Sequence, residues 1–122
     1  MQVSVCGGCP LGQEGFAPKL QLACASLAFA VEVGLVDCMS GCARASTIAF
    51  REPGKVAYLF GDLTLADLPD LLTFARHYQA SADGCFADAR VLGALRMKAL
   101  ARIPGKVLPQ RRCWRLEGRI SA

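Results

Sequence analysis

Gln2-Val3-Ser4-Val5-Cys6-Gly7-Gly8-Cys9 opens the chain, and Val31-Glu32-Val33-Gly34-Leu35-Val36-Asp37-Cys38 answers it; the reading of residues 2–38 decides the fold. Val3 and Val5 alternate with polar neighbours, the pattern of a short half-buried strand that ends at Cys6. Leu20, Cys24, Leu27 and Val31 recur at i, i+4, i+7 and i+11, the stripe of an amphipathic helix. Pro18 fits that helix's first turn, where its missing N–H costs no hydrogen bond. Residues 31–37 read as a second strand with Val31, Val33 and Leu35 on one face. Strand, helix and strand in this order make a β-α-β unit, whose strands are parallel and end at the same sheet edge.

Outward from this unit, Thr47–Phe50 and Lys55–Phe60 predict a hairpin around Glu52-Pro53-Gly54-Lys55, where proline followed by glycine suits a type II turn. A second helix starts near Thr64 or Leu68 and runs to about Ala80, with Leu68, Leu71, Leu72, Ala75 and Tyr78 inward and Pro69 in the first turn. His77 falls at its boundary or surface. Asp88 can cap a third helix carrying Leu92, Leu95, Ala99 and Leu100, stopped by Pro104-Gly105. The order β-α-β then β-β-α, with a helical or irregular C-terminal tail, predicts an α/β sandwich of thioredoxin type with a small mixed sheet. One domain over 1–104 and a tail over 105–122 are expected, with no internal repeat.

Chemistry is concentrated in the cysteines. Cys6 closes the first strand and Cys38 the second, and each opens a tight loop holding another cysteine: Cys6-Gly7-Gly8-Cys9 and Cys38-Met39-Ser40-Gly41-Cys42. Parallel neighbours lie ~4.8 Å apart, so the two pairs meet at one edge. Four thiolates converging there describe a metal or cluster cradle, with Gly7, Gly8 and Gly41 freeing backbone N–H groups to point at sulfur. Soft thiolates select zinc or iron–sulfur. Structural zinc usually staples domains that lack a core, which favours iron–sulfur here. A thioredoxin-like dithiol oxidoreductase using Cys6 and Cys9 is the rival, since C-x-x-C after the first strand is also that signature. Pro10, Gly12 and Gly15 delay the helix, however, placing Cys9 in a loop, and Cys38 and Cys42 would go unexplained. Cys24 shares the apolar stripe and reads as core filler. Cys85 lies in a turn and Cys113 in the tail; either reads as an exposed thiol. No carboxylate pair, Ser/His/Asp set or phosphate loop stands out, so a carrier or metal-binding protein is expected rather than an enzyme.

Composition sets the compartment and the partners. With 122 residues, 53% of them hydrophobic, the chain can bury a core, and disorder is excluded. No apolar run is long enough for a membrane span, and no basic segment followed by an apolar one marks a signal peptide. Seven cysteines, an odd number, argue against a paired disulfide framework and for a reducing, cytoplasmic setting. From Arg96 onward there are eight basic residues against Glu117 alone, leaving six basic against nine acidic before it. Such a tail can dock an acidic redox partner protein. Alternatively it is a solvated segment, or packs through Val107, Leu108, Trp114 and Leu116 on its own fold or on a second copy in a homodimer. Aromatic interleaving is thin, and no nucleic-acid-binding signature appears.

Six motifs in order carry a resemblance: Val5-Cys6-x-x-Cys9, Cys38-Met39-Ser40-Gly41-Cys42-Ala43-Arg44, Pro53-Gly54-Lys55, Tyr58-x-Phe60-Gly61-Asp62-Leu63, Ala82-Asp83-Gly84 and Ala101-Arg102-Ile103-Pro104. Together they resemble an uncharacterised bacterial family of predicted metal-binding proteins, itself similar to thioredoxin-like [2Fe–2S] ferredoxins and often encoded near cobalamin-synthesis genes. The resemblance spans roughly residues 3–104. It implies a [2Fe–2S] cluster held by Cys6, Cys9, Cys38 and Cys42 in a one-electron carrier. The alternative is a zinc-binding structural or metal-handling protein linked to cobalamin metabolism. Thioredoxin-like ferredoxins space their first two cysteines more widely, which makes Cys24 the substitute for Cys9. The family also tends to carry a further cysteine where this chain has Ser46.

Overall fold

The computed structural model describes residues 1–86 and 88–105. The expected unit forms from strand β1 (Gln2–Cys6), a one-turn helix α1 (Pro10–Gln13), helix α2 (Phe16–Cys24) and strand β2 (Glu32–Val36). β1 and β2 are parallel, with Cys6 opposite Val36. Strands β3 (Ile48–Arg51) and β4 (Ala57–Phe60) make the hairpin, and the Lys55 N–H donates to the Glu52 carbonyl across its turn at 3.0 Å. Gly54 takes the positive φ of 81° that the turn's third position demands. Helix α3 (Leu68–Ala80) follows, led by a 3₁₀ turn at Leu65–Asp67, and strand β5 (Ala99–Ile103) completes a mixed sheet in the order β2-β1-β3-β4-β5. The fold is the mixed α/β architecture expected.

One face of the sheet holds the core. Val3 and Val5 pair with Phe50 and Ile48, and these with Tyr58 and Phe60; all six are buried. Helix α3 lays Leu71, Phe74, Ala75 and Tyr78 on this face. The Phe74 ring meets Phe50, Tyr58 and Phe60 at centroid distances of 4.8, 5.1 and 5.0 Å. Both buried phenols are satisfied, Tyr58 donating to the Gly84 carbonyl and Tyr78 to the Val56 carbonyl, each at 2.6 Å.

Three expectations are corrected. The first helix ends at Cys24, so Leu27 and Val31 leave its stripe. The chain must there turn back to start β2, and Gln21 clamps the return, its amide donating to the Val31 carbonyl and accepting from the Val33 N–H, both at 2.9 Å. β2 is also more open than a packed face implies, with Leu35 60% exposed. Residues 89–97 form 3₁₀ turns broken at Gly93, and Ala99 and Leu100 lie on β5 instead of a third helix. The unpaired edge of β4 overrides the helical propensity of Ala-Leu-Ala-Arg by offering backbone partners from Ala57 to Phe60. Asp88 does cap this segment, accepting from the Arg90 N–H at 2.9 Å, and Leu92 and Leu95 are buried. Readings that involve Cys113, Trp114 and the rest of 106–122 lie outside the described residues.

A polar strut ties β5 to the helical layer. Lys98 Nζ sits 2.6 Å from Asp67 Oδ2 and donates to the Asp62 carbonyl at 3.0 Å. Burial alone would push the Asp67 carboxyl up, but Lys98 and the Thr64 N–H outweigh it and hold it below its ordinary 3.8. Lys98→Met is expected to cost about 1–3 kcal/mol, because it strands a buried carboxylate. Since the folded value is depressed, this stabilisation is present at neutral pH and is lost as pH falls from about 3.8 through the folded value. Urea midpoints should therefore converge for wild type and variant in acid; a difference that persists unchanged there refutes the assignment.

Candidate functional site

The C-terminal ends of β1 and β2 bring two cysteine loops together. After β1 the chain turns at Gly7, whose N–H donates to the Val36 carbonyl at 2.7 Å, docking the first loop on the exit of β2. A Cβ at Gly8 would stand 2.8 Å from the Asp37 carbonyl oxygen, closer than side-chain carbons come. Glycine is therefore what lets the loop reach its neighbour. Pro10 begins α1 directly, so Cys9 is its N-cap and not a free loop residue as the glycines suggested. Cys6 and Cys9 are both buried, at 2% and 6% exposure. Cys38 and Cys42 are exposed, Cys42 opening a short 3₁₀ turn with Ala43 and Arg44. Arg44 pins that turn through Asp62 at 2.6 Å and the Met97 carbonyl at 3.0 Å.

The thiols influence one another in pairs and across pairs. At Cys6 burial opposes ionisation, but the Met39 N–H, the Cys9 thiol, the Gly8 N–H and the Thr47 hydroxyl outweigh it and lower the thiol below 9.0. Met39 belongs to the second loop, so a donor from one cysteine loop faces the sulfur of the other. At Cys42 the order of causes reverses the sign. Hydrogen bonding and charge at Cys38 push its thiol up, burial adds to this, and so do the charges of Cys9 and Cys6. The Ser40 N–H also lies 3.3 Å from Cys38 Sγ. Of the four cysteines anticipated from sequence, Cys42 thus senses the other three.

Cys24 is elsewhere. It is buried on α2 among core residues, and burial alone raises its thiol. Among the described residues no three Cys, His, Asp or Glu side chains stand arranged to hold a metal ion. What the site offers instead is two pairs of free cysteines on neighbouring loops, with the Ser40 N–H beside the Cys38 sulfur. This donor set suits a soft metal in its chemistry. Cys85 sits in its turn with its N–H on Asp83 at 2.9 Å, and His77 is exposed on α3. The residue that sequence reading missed is Thr47, which was read only as the start of a strand. No helix is long and apolar enough to cross a membrane among the described residues.

No curated protein and no solved structure matches the chain. A family model does match over residues 5–105, a span that contains both cysteine loops and every strand from β2 to β5. The chain belongs to the family described as protein of unknown function DUF1636.

Proposed function

We propose that the protein is a small [2Fe–2S] electron carrier whose ligands are Cys6, Cys9, Cys38 and Cys42. The observation that carries this reading is the pairing of thiols. Cys6 and Cys9, both free thiols, share the loop after β1 and Cys38 and Cys42 the loop after β2, and the loops meet where the Gly7 N–H donates to the Val36 carbonyl. A two-iron cluster needs two ligands on each iron, which is a demand for two pairs and not for one knot of sulfur. When bound, such a cluster accepts and returns one electron without making or breaking a bond in its partner. The chain's own tasks are then to retain the thiolates, to direct N–H groups at sulfur, and to expose one side for docking. The buried Cys6/Cys9 pair retains, while the exposed Cys38/Cys42 pair marks the side from which an electron enters and leaves.

The dithiol oxidoreductase alternative loses ground on access. A reactive cysteine must meet its substrate disulfide, yet Cys6 and Cys9 are both buried. Anaerobically purified protein should be reddish-brown, with about two irons and two sulfides per chain. A colourless protein holding one zinc per chain would end the carrier reading. It would promote the metal-handling role tied to cobalamin metabolism in its place.

A further inference from the structure

We propose that Asp62 is a positioning residue for the second cysteine pair, holding the Cys42 turn by its backbone and its carboxylate at once. The inference rests on reading Cys38 and Cys42 as ligands, and not on which soft metal they take. Asp62 follows β4 and grips residue 44 from two sides. Its N–H is shared between the Arg44 and Ala45 carbonyls, at 3.2 and 3.0 Å. Its carboxylate lies 2.6 Å from Arg44 Nε, while the same guanidinium donates to the Met97 carbonyl at 3.0 Å. The Arg44 N–H in turn closes on the Gly41 carbonyl at 2.9 Å, so what fixes Arg44 fixes the turn that begins at Cys42. Glycines make the approach possible. A Cβ at Gly61 would stand 2.6 Å from the Arg44 carbonyl oxygen, and one at Gly41 would stand 2.5 Å from Thr47 Cγ2.

The backbone at Asp62 shows what its carboxylate is for. Asp62 takes a φ of 55°, in the left-handed region where glycine rests freely and other residues are strained. Glycine would keep both N–H bonds and remove the strain, yet the chain carries an aspartate. Strain retained in this way points to a group needed for more than folding. The ion pair itself is half exposed and adds little stability. Its value is geometric. The planar guanidinium spans two anchors, Asp62 at the exit of β4 and the Met97 carbonyl before β5, as a single ammonium does not. Lys98 then ties the Asp62 carbonyl to the Asp67 carboxylate, which roots the grip in the helical layer. Burial holds Cys6 and Cys9; this grip holds the exposed loop of Cys38 and Cys42.

The test titrates Cd²⁺ into the full, reduced chain without oxygen and follows thiolate-to-cadmium absorption in the ultraviolet. Wild type is compared with Asp62→Gly, Arg44→Gln, Arg44→Lys and the Arg44→Gln/Asp62→Gly double variant. Metal-free Asp62→Gly should melt within about 3 °C of wild type, since relieved strain offsets a weak ion pair. Its Cd²⁺ affinity should nevertheless fall about tenfold, the low end of what losing a supporting group costs a metal site. Arg44→Gln should lose as much, Arg44→Lys most of it, and the double variant no more than Arg44→Gln alone, because one grip is lost only once. Wild-type Cd²⁺ affinity in Asp62→Gly overturns the proposal. So does a metal-free Asp62→Gly that melts below that range, which would make Asp62 a prop for the fold. Losses that multiply in the double variant overturn the joint action of Arg44 and Asp62. Reconstitution with iron and sulfide, run alongside, separates this inference from the carrier reading. A wild type that binds Cd²⁺ but no iron ends that reading and leaves the cadmium series to decide, whereas one that binds neither overturns both.

Discussion

Cys6→Ser protein, reconstituted beside wild type, is expected to retain less than about a tenth of the iron, since loss of a mere outer-sphere partner already costs about 10–100-fold in affinity. Cys6 should be the most sensitive of the four positions. It is buried, it ends β1, and it receives the Met39 and Gly8 N–H groups together with the Cys9 thiol. Serine there presents a harder, less acidic donor to the same groups, and soft-metal selectivity is lost with the sulfur. Cys38→Ser and Cys42→Ser should also bleach the protein, with more residual iron, because their exposed loop can adjust. Cys24→Ala should keep the wild-type spectrum. Its cost is to folding alone, about 1 kcal/mol for the space its sulfur leaves in the core. Iron content and visible absorption of the purified variants decide the matter. A normal spectrum in Cys9→Ser joined to a bleached Cys24→Ser would transfer the second ligand to α2 and refute the set given above.

How far the sequence disclosed this arrangement depends on the range of the forces involved. The parallel β1–β2 pair, the turn at Pro53-Gly54 and the span of α3 are written in local periodicity and turn chemistry, and they stand where those signals put them. β5 is not written locally. Ala99-Leu100-Ala101-Arg102-Ile103 has the residues of a helix and becomes a strand because β4 has an unpaired edge, a fact that exists only after the hairpin has formed. Phe74 was missed on the inner face of α3 for a related reason. The apolar stripe was built from leucines, whereas the centre of the packing is the ring that meets Phe50, Tyr58 and Phe60. At the candidate site the four cysteines were legible because strand ends and glycine loops announce their own meeting point. Thr47 was not, since its importance lies in what faces it from two other loops. Ser46 shows the same limit: buried at a positive φ of 67°, it accepts the Leu11 N–H at 3.2 Å and braces the start of α1. What the Ser46 side chain contributes is a structural hydrogen bond.

Gly12→Ala is expected to lower the melting temperature by more than about 10 °C, taking roughly 3 kcal/mol at the upper range of overpacking costs. The sign is the informative part. Gly12 lies inside α1, and in an ordinary helix alanine is favoured over glycine by about 1 kcal/mol. Here a Cβ would overlap the Cys6 carbonyl oxygen, with the Cys6 carbonyl carbon at 2.9 Å and the Gly7 Cα at 3.1 Å. Those atoms are backbone. They are held by the Cys6 N–H bond to Thr47 and the Gly7 N–H bond to Val36, so they cannot give way as a flexible side chain would. Either α1 lifts from β1 or the Cys6–Cys9 loop is displaced, and both separate the first thiol pair from the second. The variant should therefore also lose iron on reconstitution, although no ligand has been touched. Gly34→Ala is the matched control, because a Cβ there meets nothing within 4 Å. Its effect should stay within about 0.5 kcal/mol, as for other open surface positions. If Gly12→Ala melts at or above wild type, intrinsic helix propensity has won. The close packing of α1 on the Cys6 carbonyl, and with it the rigid cradle argued for the first cysteine pair, would then be wrong.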